Sequence, residues 1–173
     1  MPDVGWCDYA MSRSALRRVR CVPIRPSTVA EMRQVAEQLF QAHYEEVAVD
    51  RHETPLCPHW DVYEDLEQRG MLLILAAWAT AGAACELVGY AVTIIVPHLH
   101  YATTKVAQND LIYVAPSHRR GRVGMELMHE TEVRAREAGC KRVTWHAKPG
   151  TALEAILARR GYQVHETIYG RGL

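Results

Sequence analysis

The amino-acid sequence predicts a mixed α/β (α+β) fold, in which helices cover both faces of one β-sheet. Short apolar runs rich in β-branched residues alternate with amphipathic helical stretches along the chain. A strand–turn–helix–strand unit occupies residues 106–148 near its centre. With 173 residues, of which 49% are hydrophobic, the chain is long enough to bury a real core and suits one domain.

The N-terminal stretch differs from the rest of the chain. Residues 1–18 carry no hydrophobic periodicity, so we expect an arm or extension there, followed by a single domain over residues 19–173. The first strand is expected at residues 19–24, before a proline.

Two helices are expected next. Thr28 and Glu31 have the spacing of a capping box, and apolar residues at helical spacing continue to His43, which predicts one helix of about five turns. Asp61 begins a shorter helix that Gly70 ends. The loop between the two helices is rich in polar residues.

A sheet and two further helices complete the predicted order. Residues 71–79 and 86–96 read as an antiparallel strand pair. Residues 97–101 are expected to interrupt the sheet, which resumes at 106–114. The remaining elements are a helix at 123–138, a strand at 141–148, a helix at 151–160 and a last strand at 163–169.

Charge and cysteine content exclude several classes of protein. The formal net charge is zero, so the chain has no general attraction to nucleic acid or anionic membranes. Basic residues cluster only at 13–20 and 119–122, and these clusters are the basis of a nucleic-acid-binding alternative, which we consider unlikely. Five scattered cysteines without C-x-x-C spacing indicate reduced thiols in a cytoplasmic protein.

Membrane insertion and secretion are also not expected. The longest apolar run, residues 71–79, is far too short to cross a bilayer. The N-terminus has no apolar segment followed by a small-residue cleavage site.

The turn between the strand at 106–114 and the next helix predicts a binding site. The first amide N–H groups of a helix lack intrahelical acceptors, and the helix dipole adds positive charge. Here glycines and three arginines precede the helix, which favours a phosphate or pyrophosphate ligand. The alternative is an ordinary turn with solvated arginines. The glycine patterns of dinucleotide-binding and ATP-binding loops are absent.

Residues 106–138 resemble motif A of the GCN5-related N-acetyltransferase (GNAT) superfamily. The loop of that family reads Arg/Gln-x-x-Gly-x-Gly/Ala, and Arg119 and Gly124 match its first and last positions. Arg122 stands where the middle glycine is usual, and Gly121 is one position earlier. The segment HRRGRVG, with HYATTKVAQND before it and KPGT, GY and ETIYG after it, resembles sequences of the family branch found in bacteriophages and prophages.

The resemblance, which covers about residues 22–170, implies a fold and a reaction. It implies a mixed, mostly antiparallel sheet of six to seven strands, with a splay between the fourth and fifth strands that holds coenzyme A. The implied activity is acetyl-CoA-dependent transfer to a primary amine, on a small molecule or a protein, by direct attack in a ternary complex. Homodimers are common in the family. The residues expected to bind acetyl-CoA are Ile112, Tyr113, Val114, Arg119, Arg120, Gly121, Arg122, Val123, Gly124 and Met125.

The resemblance also suggests a proton acceptor. Some relatives carry it at the positions matching Gln108 and Asp110, and strand alternation would put these on one face with Ile112 and Val114. Asp110 is therefore the first choice, with a purely structural aspartate as the alternative. His100 is second; with His98 it resembles a metal pair, but no clear third ligand accompanies it, so no metal is expected.

The general acid is less well marked. Many relatives carry a tyrosine in the final helix, and this chain has Leu157 there. Tyr169 and Tyr101 are the candidates to replace it, and the alternative is that solvent protonates the departing thiolate. The missing tyrosine supports an alternative function, a non-catalytic acyl-CoA sensor or interaction module. Residues 44–60 and 97–105 are expected to decide the acceptor, and their composition favours a polar one.

Overall fold

A computed structural model describes residues 20–48, 52–81 and 84–171, and the expected arm at residues 1–18 lies outside them. One sheet has the order β1-β2-β3-β4-β5, in which β1 to β4 pair with one another in antiparallel fashion and β5 is parallel to β4. The strands are β1 (Arg20–Pro26), β2 (Leu72–Ala81), β3 (Ala84–His98), β4 (Tyr101–Val114) and β5 (Cys140–Trp145). The helices are α1 (Val29–Val35), α2 (Glu37–Val47), α3 (Trp60–Gln68), α4 (Val123–Glu137) and α5 (Ala152–Arg159).

Helices cover both faces of the sheet, as predicted. Alternate residues of β2 point to opposite faces, so its continuous apolar run serves two cores. Ile74 and Trp78 pack on the face covered by α1, α2 and α3, with Val29, Met32, Phe40, Tyr90 and Tyr113. Leu75 and Ala77 pack on the face covered by α4, with Val88, Ala91, Val123 and Leu127.

The helix ends predicted from Thr28 and Gly70 are confirmed, but the prediction of one long first helix is wrong. The Thr28 hydroxyl accepts the Glu31 N–H at 3.2 Å, and Gly70 ends α3 with a φ of 65°. The expected helix of five turns is instead divided at Ala36, whose φ of −94° and ψ of −6° distort it between α1 and α2.

The expected interruption at residues 97–101 is wrong. Strand β3 continues to His98 and β4 begins at Tyr101, so the two strands form one long hairpin around a two-residue turn. Pro97 still pairs with Lys105, next to a register shift. Proline lacks an N–H for the ladder and is tolerated in sheets at such irregular positions.

The expected count of six to seven strands is also wrong, since the described residues form five. Residues 162–171, which were expected to contain the last strand, form none. Alternating apolar residues make a strand only when a neighbour supplies hydrogen bonds, and here Val164, Ile168 and Tyr169 are 89%, 78% and 91% exposed. Strand β5 also ends at Trp145, before the expected residue 148.

A β-bulge lies near the end of β4. Thr93 pairs with Asn109 and Val92 pairs with Leu111, so Asp110 is an extra residue in β4. The buried Asn109 side chain holds this bulge, because its amide donates to the carbonyls of Val92 (3.2 Å) and Leu111 (3.1 Å).

Strands β4 and β5 separate beyond the bulge. Their parallel ladder runs from Lys105–Cys140 to Asn109–Trp145, and residues 110–114 have no β5 partner within the described chain. The ladder between the fourth and fifth strands therefore ends at the Asn109–Trp145 pair, where β5 itself ends. Among the helices of the described residues, none has the length and apolar character needed to cross a membrane.

Candidate active site

The start of α4 presents free amide groups. A short 3-10 turn, Pro116–His118, leads from β4 into the arginine-rich turn. The first α-helical hydrogen bond is from Glu126 N–H to the Arg122 carbonyl at 2.9 Å, and no side chain caps the helix. The N–H groups of residues 123–125 therefore have no intrahelical acceptor and lie at the positive end of the helix dipole, where an anion is favoured.

The loop glycines are not required by packing within the chain. A Cβ on Gly124 would lie 3.7 Å from the Val114 side chain, and one on Gly121 would lie 3.5 Å from the His118 carbonyl oxygen. Gly121 does not have positive φ, so the freedom expected of it is not used here.

A third glycine, Gly89 of β3, is required by packing. A Cβ there would lie 3.0 Å from the Tyr113 carbonyl oxygen and 3.4 Å from the Val114 side chain. No local sequence pattern marks this residue. It allows β3 and β4 to approach closely directly behind the arginine-rich turn.

Arg119 is engaged by the protein itself. Its Nε donates to the Val114 carbonyl at 2.8 Å, and its guanidinium pairs with the Glu46 carboxylate of α2 at 2.5 Å. The guanidinium carbon also lies 5.1 Å from the centre of the Tyr113 ring. Arg119 therefore joins the turn to β4 and α2.

The other two arginines of the turn remain exposed. The Arg122 side chain is 88% exposed and pairs with Glu126 at 3.3 Å, while Arg120 is exposed. Exposed ion pairs of this kind are weak. Arg120 and Arg122 can therefore turn toward an anion at the start of α4 at little cost.

The edge of β4 beyond the bulge carries available backbone groups. Ala115 N–H donates to the Val88 carbonyl at 2.8 Å. Because antiparallel hydrogen bonds alternate along a strand, the backbone groups of Ile112 and Val114 face the other way, toward the β5 side. The Val114 carbonyl is taken by Arg119, which leaves Ile112 able to pair with an extended ligand.

Two buried polar atoms lie where β4 and β5 separate. Asn109 Oδ1 and Trp145 Nε1 have no hydrogen-bond partner among the described residues, and the two residues are partners in the last pair of the ladder. A buried unpaired acceptor and donor are both costly unless a ligand or water satisfies them. Sequence analysis assigned neither residue to the site, since nothing in the pattern marks a side chain as unpaired.

Asp110 lies at the bulge, with its side chain exposed. Burial raises the pKa of Tyr63 on α3, and the Asp110 charge raises it further, so the carboxylate lies within electrostatic reach of Tyr63. Ile112 and Val114 pack toward α4 and Leu111 packs toward the opposite face. The bulge at Asp110 interrupts the regular alternation on which its expected place beside Ile112 and Val114 depended.

The other two predicted catalytic residues lie in other segments of the chain. His100 is at the tip of the β3–β4 hairpin, on the order of 30 Å along β4 from the bulge. Tyr169 is 91% exposed in the extended segment after α5. The described residues contain no cluster of three potential metal ligands, around His98 and His100 or elsewhere.

A cavity of about 260 Å³ opens on the α3 side of the sheet, next to the bulge. It lies between α2, α3, the loop at residues 55–58 and the sheet. Its apolar lining residues are Phe40, Val47, Pro55, Leu56, Pro58 and Leu111, and its polar ones are His43, Tyr44, Cys57, Tyr63 and Tyr90.

A stacked aromatic group forms the floor of this cavity. His43 Nδ1 and the Tyr90 hydroxyl share a hydrogen bond of 2.6 Å, and the His43 ring stacks on Tyr113 with centroids 4.7 Å apart. Burial lowers the pKa of His43; the Glu46 charge opposes this, and the Lys148 and Arg119 charges reinforce it. The imidazole is therefore neutral at neutral pH.

Residues 32–162, about three quarters of the chain, match the protein-family model of the acetyltransferase (GNAT) family. The chain belongs to the GNAT acetyltransferase family. It is accordingly an N-acetyltransferase, and the family transfers the acetyl group of acetyl-CoA to amine acceptors. A comparison with curated protein sequences finds no match.

Solved structures share the GNAT fold at low identity. An aminoglycoside acetyltransferase, HMB0005, from an uncultured soil metagenomic sample is 15% identical, with a TM-score of 0.68 over 88% of this chain and 98% of that one. The aminoglycoside N-acetyltransferase AAC(6')-Iy, in complex with CoA, is 18% identical, with a TM-score of 0.62 over 91% and 97%. The ribosomal-protein-alanine N-acetyltransferase from Brucella melitensis biovar Abortus 2308 is 18% identical, with a TM-score of 0.61 over 88% and 100%.

Proposed function

We propose that this GNAT protein transfers the acetyl group of acetyl-CoA to a primary amine by direct attack, with both substrates bound at once. The observation that carries the proposal is the separation of β4 from β5 at Asn109 and Trp145, beside the free amides at the start of α4. An extended ligand with a diphosphate at one end fits that arrangement.

The chain supplies suitable groups along the whole proposed binding path. The amides of Val123, Gly124 and Met125, with Arg120 and Arg122, would bind the pyrophosphate. The Ile112–Val114 edge would pair with the pantetheine amides. Asn109 Oδ1 and Trp145 Nε1 would each gain a partner from an amide or carbonyl of the same arm. Acetyl-CoA supplies the acetyl group as a reactive thioester.

Asp110 is the proposed proton acceptor. It is exposed beside the point where the strands separate, and its charge reaches Tyr63 in the wall of the neighbouring cavity. A carboxylate there could accept a proton from the ammonium of the acceptor, directly or through water. His100, at the tip of the β3–β4 hairpin, and Tyr169, in the segment after α5, have no proposed part in this step.

Acetyl-CoA binding and thiol release test the proposal. Calorimetry should detect binding of acetyl-CoA, and free thiol should appear only when an amine is added. Asp110→Asn should lower kcat by about 100-fold or more while acetyl-CoA still binds. If calorimetry detects no heat of acetyl-CoA binding under any condition, the proposal is refuted.

The alternative is a non-catalytic acyl-CoA sensor. It is favoured by the position of Tyr169, which lies exposed in the segment after α5, and by Leu157 where many relatives carry a tyrosine. The same experiment separates the two functions, because a sensor would bind acetyl-CoA and release no thiol with any amine.

Several further properties are proposed from the sequence. Residues 19–173 would form one catalytic domain, with residues 1–18 as an arm, and the protein would act in the cytoplasm, as its scattered cysteines suggest. A homodimer and a place in the phage-encoded branch rest on the resemblance alone. Gel filtration with light scattering would test the dimer.

A further inference from the structure

The cavity beside Asp110 has an uncharged wall. Among the described lining residues there is no carboxylate, lysine or arginine. Burial lowers the pKa of His43 and raises the pKa of Tyr63 and Tyr90, so all three side chains are neutral at neutral pH. The remaining wall is largely carbon, from residues such as Phe40 and Leu111.

The charges around the cavity are unevenly arranged. The Lys148 ammonium donates to the Val47 carbonyl, at the α2 end of the cavity, and its charge lowers the pKa of His43, as does that of Arg119. Glu46, the carboxylate whose charge raises the pKa of His43, is already paired with Arg119. Asp110 lies at the bulge directly before Leu111 of the cavity wall, and its negative charge reaches Tyr63 in the same wall.

We propose that the acceptor is a primary amine with one ammonium group and an apolar body, either aromatic or branched aliphatic. The apolar body would occupy the cavity, and the ammonium would lie toward Asp110. A volume of about 260 Å³ is below the usual range for drug-sized ligands and suits a small monoamine. A polycation would bring its second ammonium toward Lys148, whose charge has no carboxylate partner among the ion pairs of the described residues. This inference rests on the proposed acetyltransferase function.

The acceptor class can be tested by measuring thiol release with saturating acetyl-CoA. The panel is 2-phenylethylamine and 3-methylbutylamine as apolar monoamines, and spermidine and kanamycin as polycations. We expect kcat/KM to be about 100-fold higher for the monoamines, a discrimination within reach of a shaped apolar pocket.

A matched pair of variants tests the location. Leu56, which lines the cavity, and Val35, which does not, are 38% and 41% exposed, so a glutamate is tolerated at either position. Leu56→Glu should lower kcat/KM for the monoamines by about 10-fold, because it puts a charge into the apolar wall. Val35→Glu should leave kcat/KM within about twofold of the unchanged protein. Calorimetry should give the same Kd for acetyl-CoA in both variants.

The outcomes separate this inference from the proposed function. If acetyl-CoA binds and spermidine or kanamycin is preferred, or no monoamine is acetylated, the inference is overturned and the acyl-CoA site stands. Equal activity of Leu56→Glu and Val35→Glu would overturn it as well. If acetyl-CoA fails to bind the unchanged protein, the proposed function fails and the inference fails with it.

Discussion

Asn109 lies opposite Trp145 in the last pair of the β4–β5 ladder, and each has a buried polar atom without a hydrogen-bond partner in the described chain. The amide nitrogen of Asn109 is occupied in holding the bulge, so its oxygen cannot be satisfied by rotating the side chain without losing those bonds. The structure thus has an unpaired acceptor and an unpaired donor where the strands begin to separate.

Trp145→Phe should weaken acetyl-CoA binding without destabilising the protein. The substitution removes the indole N–H, which in the free protein has no partner to lose. If that N–H bonds to the bound substrate, its loss should raise the Kd by about 3- to 10-fold, the usual net value of one hydrogen bond. Calorimetry measures the Kd, and thermal unfolding should show an unchanged or slightly higher Tm.

Trp78→Phe is the matched control. Its indole N–H is also buried and unpartnered, but Trp78 belongs to the core between the sheet and helices α1 to α3. Its replacement should leave the Kd for acetyl-CoA unchanged. Equal Kd values for Trp145→Phe and the unchanged protein would remove Trp145 from the proposed site.

Gly89→Ala should destabilise the protein and disturb the edge of β4. The new Cβ would lie 3.0 Å from the Tyr113 carbonyl oxygen, closer than side chains are normally found, so β3 and β4 must move apart. We expect a loss of about 1–3 kcal/mol in the free energy of unfolding, measured with urea, together with weaker acetyl-CoA binding. Gly170→Ala, where nothing lies within 4 Å of the new Cβ, should change neither quantity.

Arg119→Gln and Arg122→Gln should have different consequences. Arg119 bonds to the Val114 carbonyl and to Glu46, so its loss should lower the Tm and raise the Kd for acetyl-CoA by about an order of magnitude. Arg122 is exposed and should affect only the Kd, by an amount that shrinks as salt is added. An unchanged Tm in Arg119→Gln would show that this arginine does not hold the turn. Arg33→Gln, on the exposed surface of α1, controls for loss of charge alone.

The sequence predicted those parts of the fold that depend on local pattern. The order of the main strands, the capping box at Thr28 and the glycine that ends α3 follow from side-chain alternation and backbone freedom, which neighbouring residues determine. The long β3–β4 hairpin was missed because Pro97 suggests a break, and only the register of the partner strand makes it tolerable.

The candidate site was predicted less completely, because it depends on register and pairing. The turn before α4 could be recognised from its arginines and glycines. The bulge that displaces Asp110 arises from how β4 pairs with β3, and no local pattern marks it. Likewise, the partners of Arg119 and the unpaired atoms of Asn109 and Trp145 depend on residues distant in the chain.

The stability of the protein should fall below about pH 6.5 because of His43, whose ordinary pKa is 6.5. Burial lowers its pKa in the folded state, so between the lowered value and 6.5 the unfolded chain binds a proton that the folded chain does not. The contribution of neutral His43 is complete above pH 6.5 and is lost as the pH falls toward the lowered pKa. One proton can account for a slope of at most about 1.4 kcal/mol per pH unit in the free energy of unfolding.

Urea unfolding of the unchanged protein and of His43→Gln, at intervals from pH 7.5 to about pH 5, isolates this contribution. His43→Gln should be less stable at pH 7.5, because it loses the hydrogen bond to Tyr90 and the stacking on Tyr113. Its stability should then depend less on pH below 6.5, and the two curves should converge. His129→Gln, at an exposed position on α4, controls for removing an imidazole from the surface. Parallel curves for His43→Gln and the unchanged protein would mean that His43 titrates alike in the folded and unfolded states, contrary to its burial against Tyr90 and Tyr113.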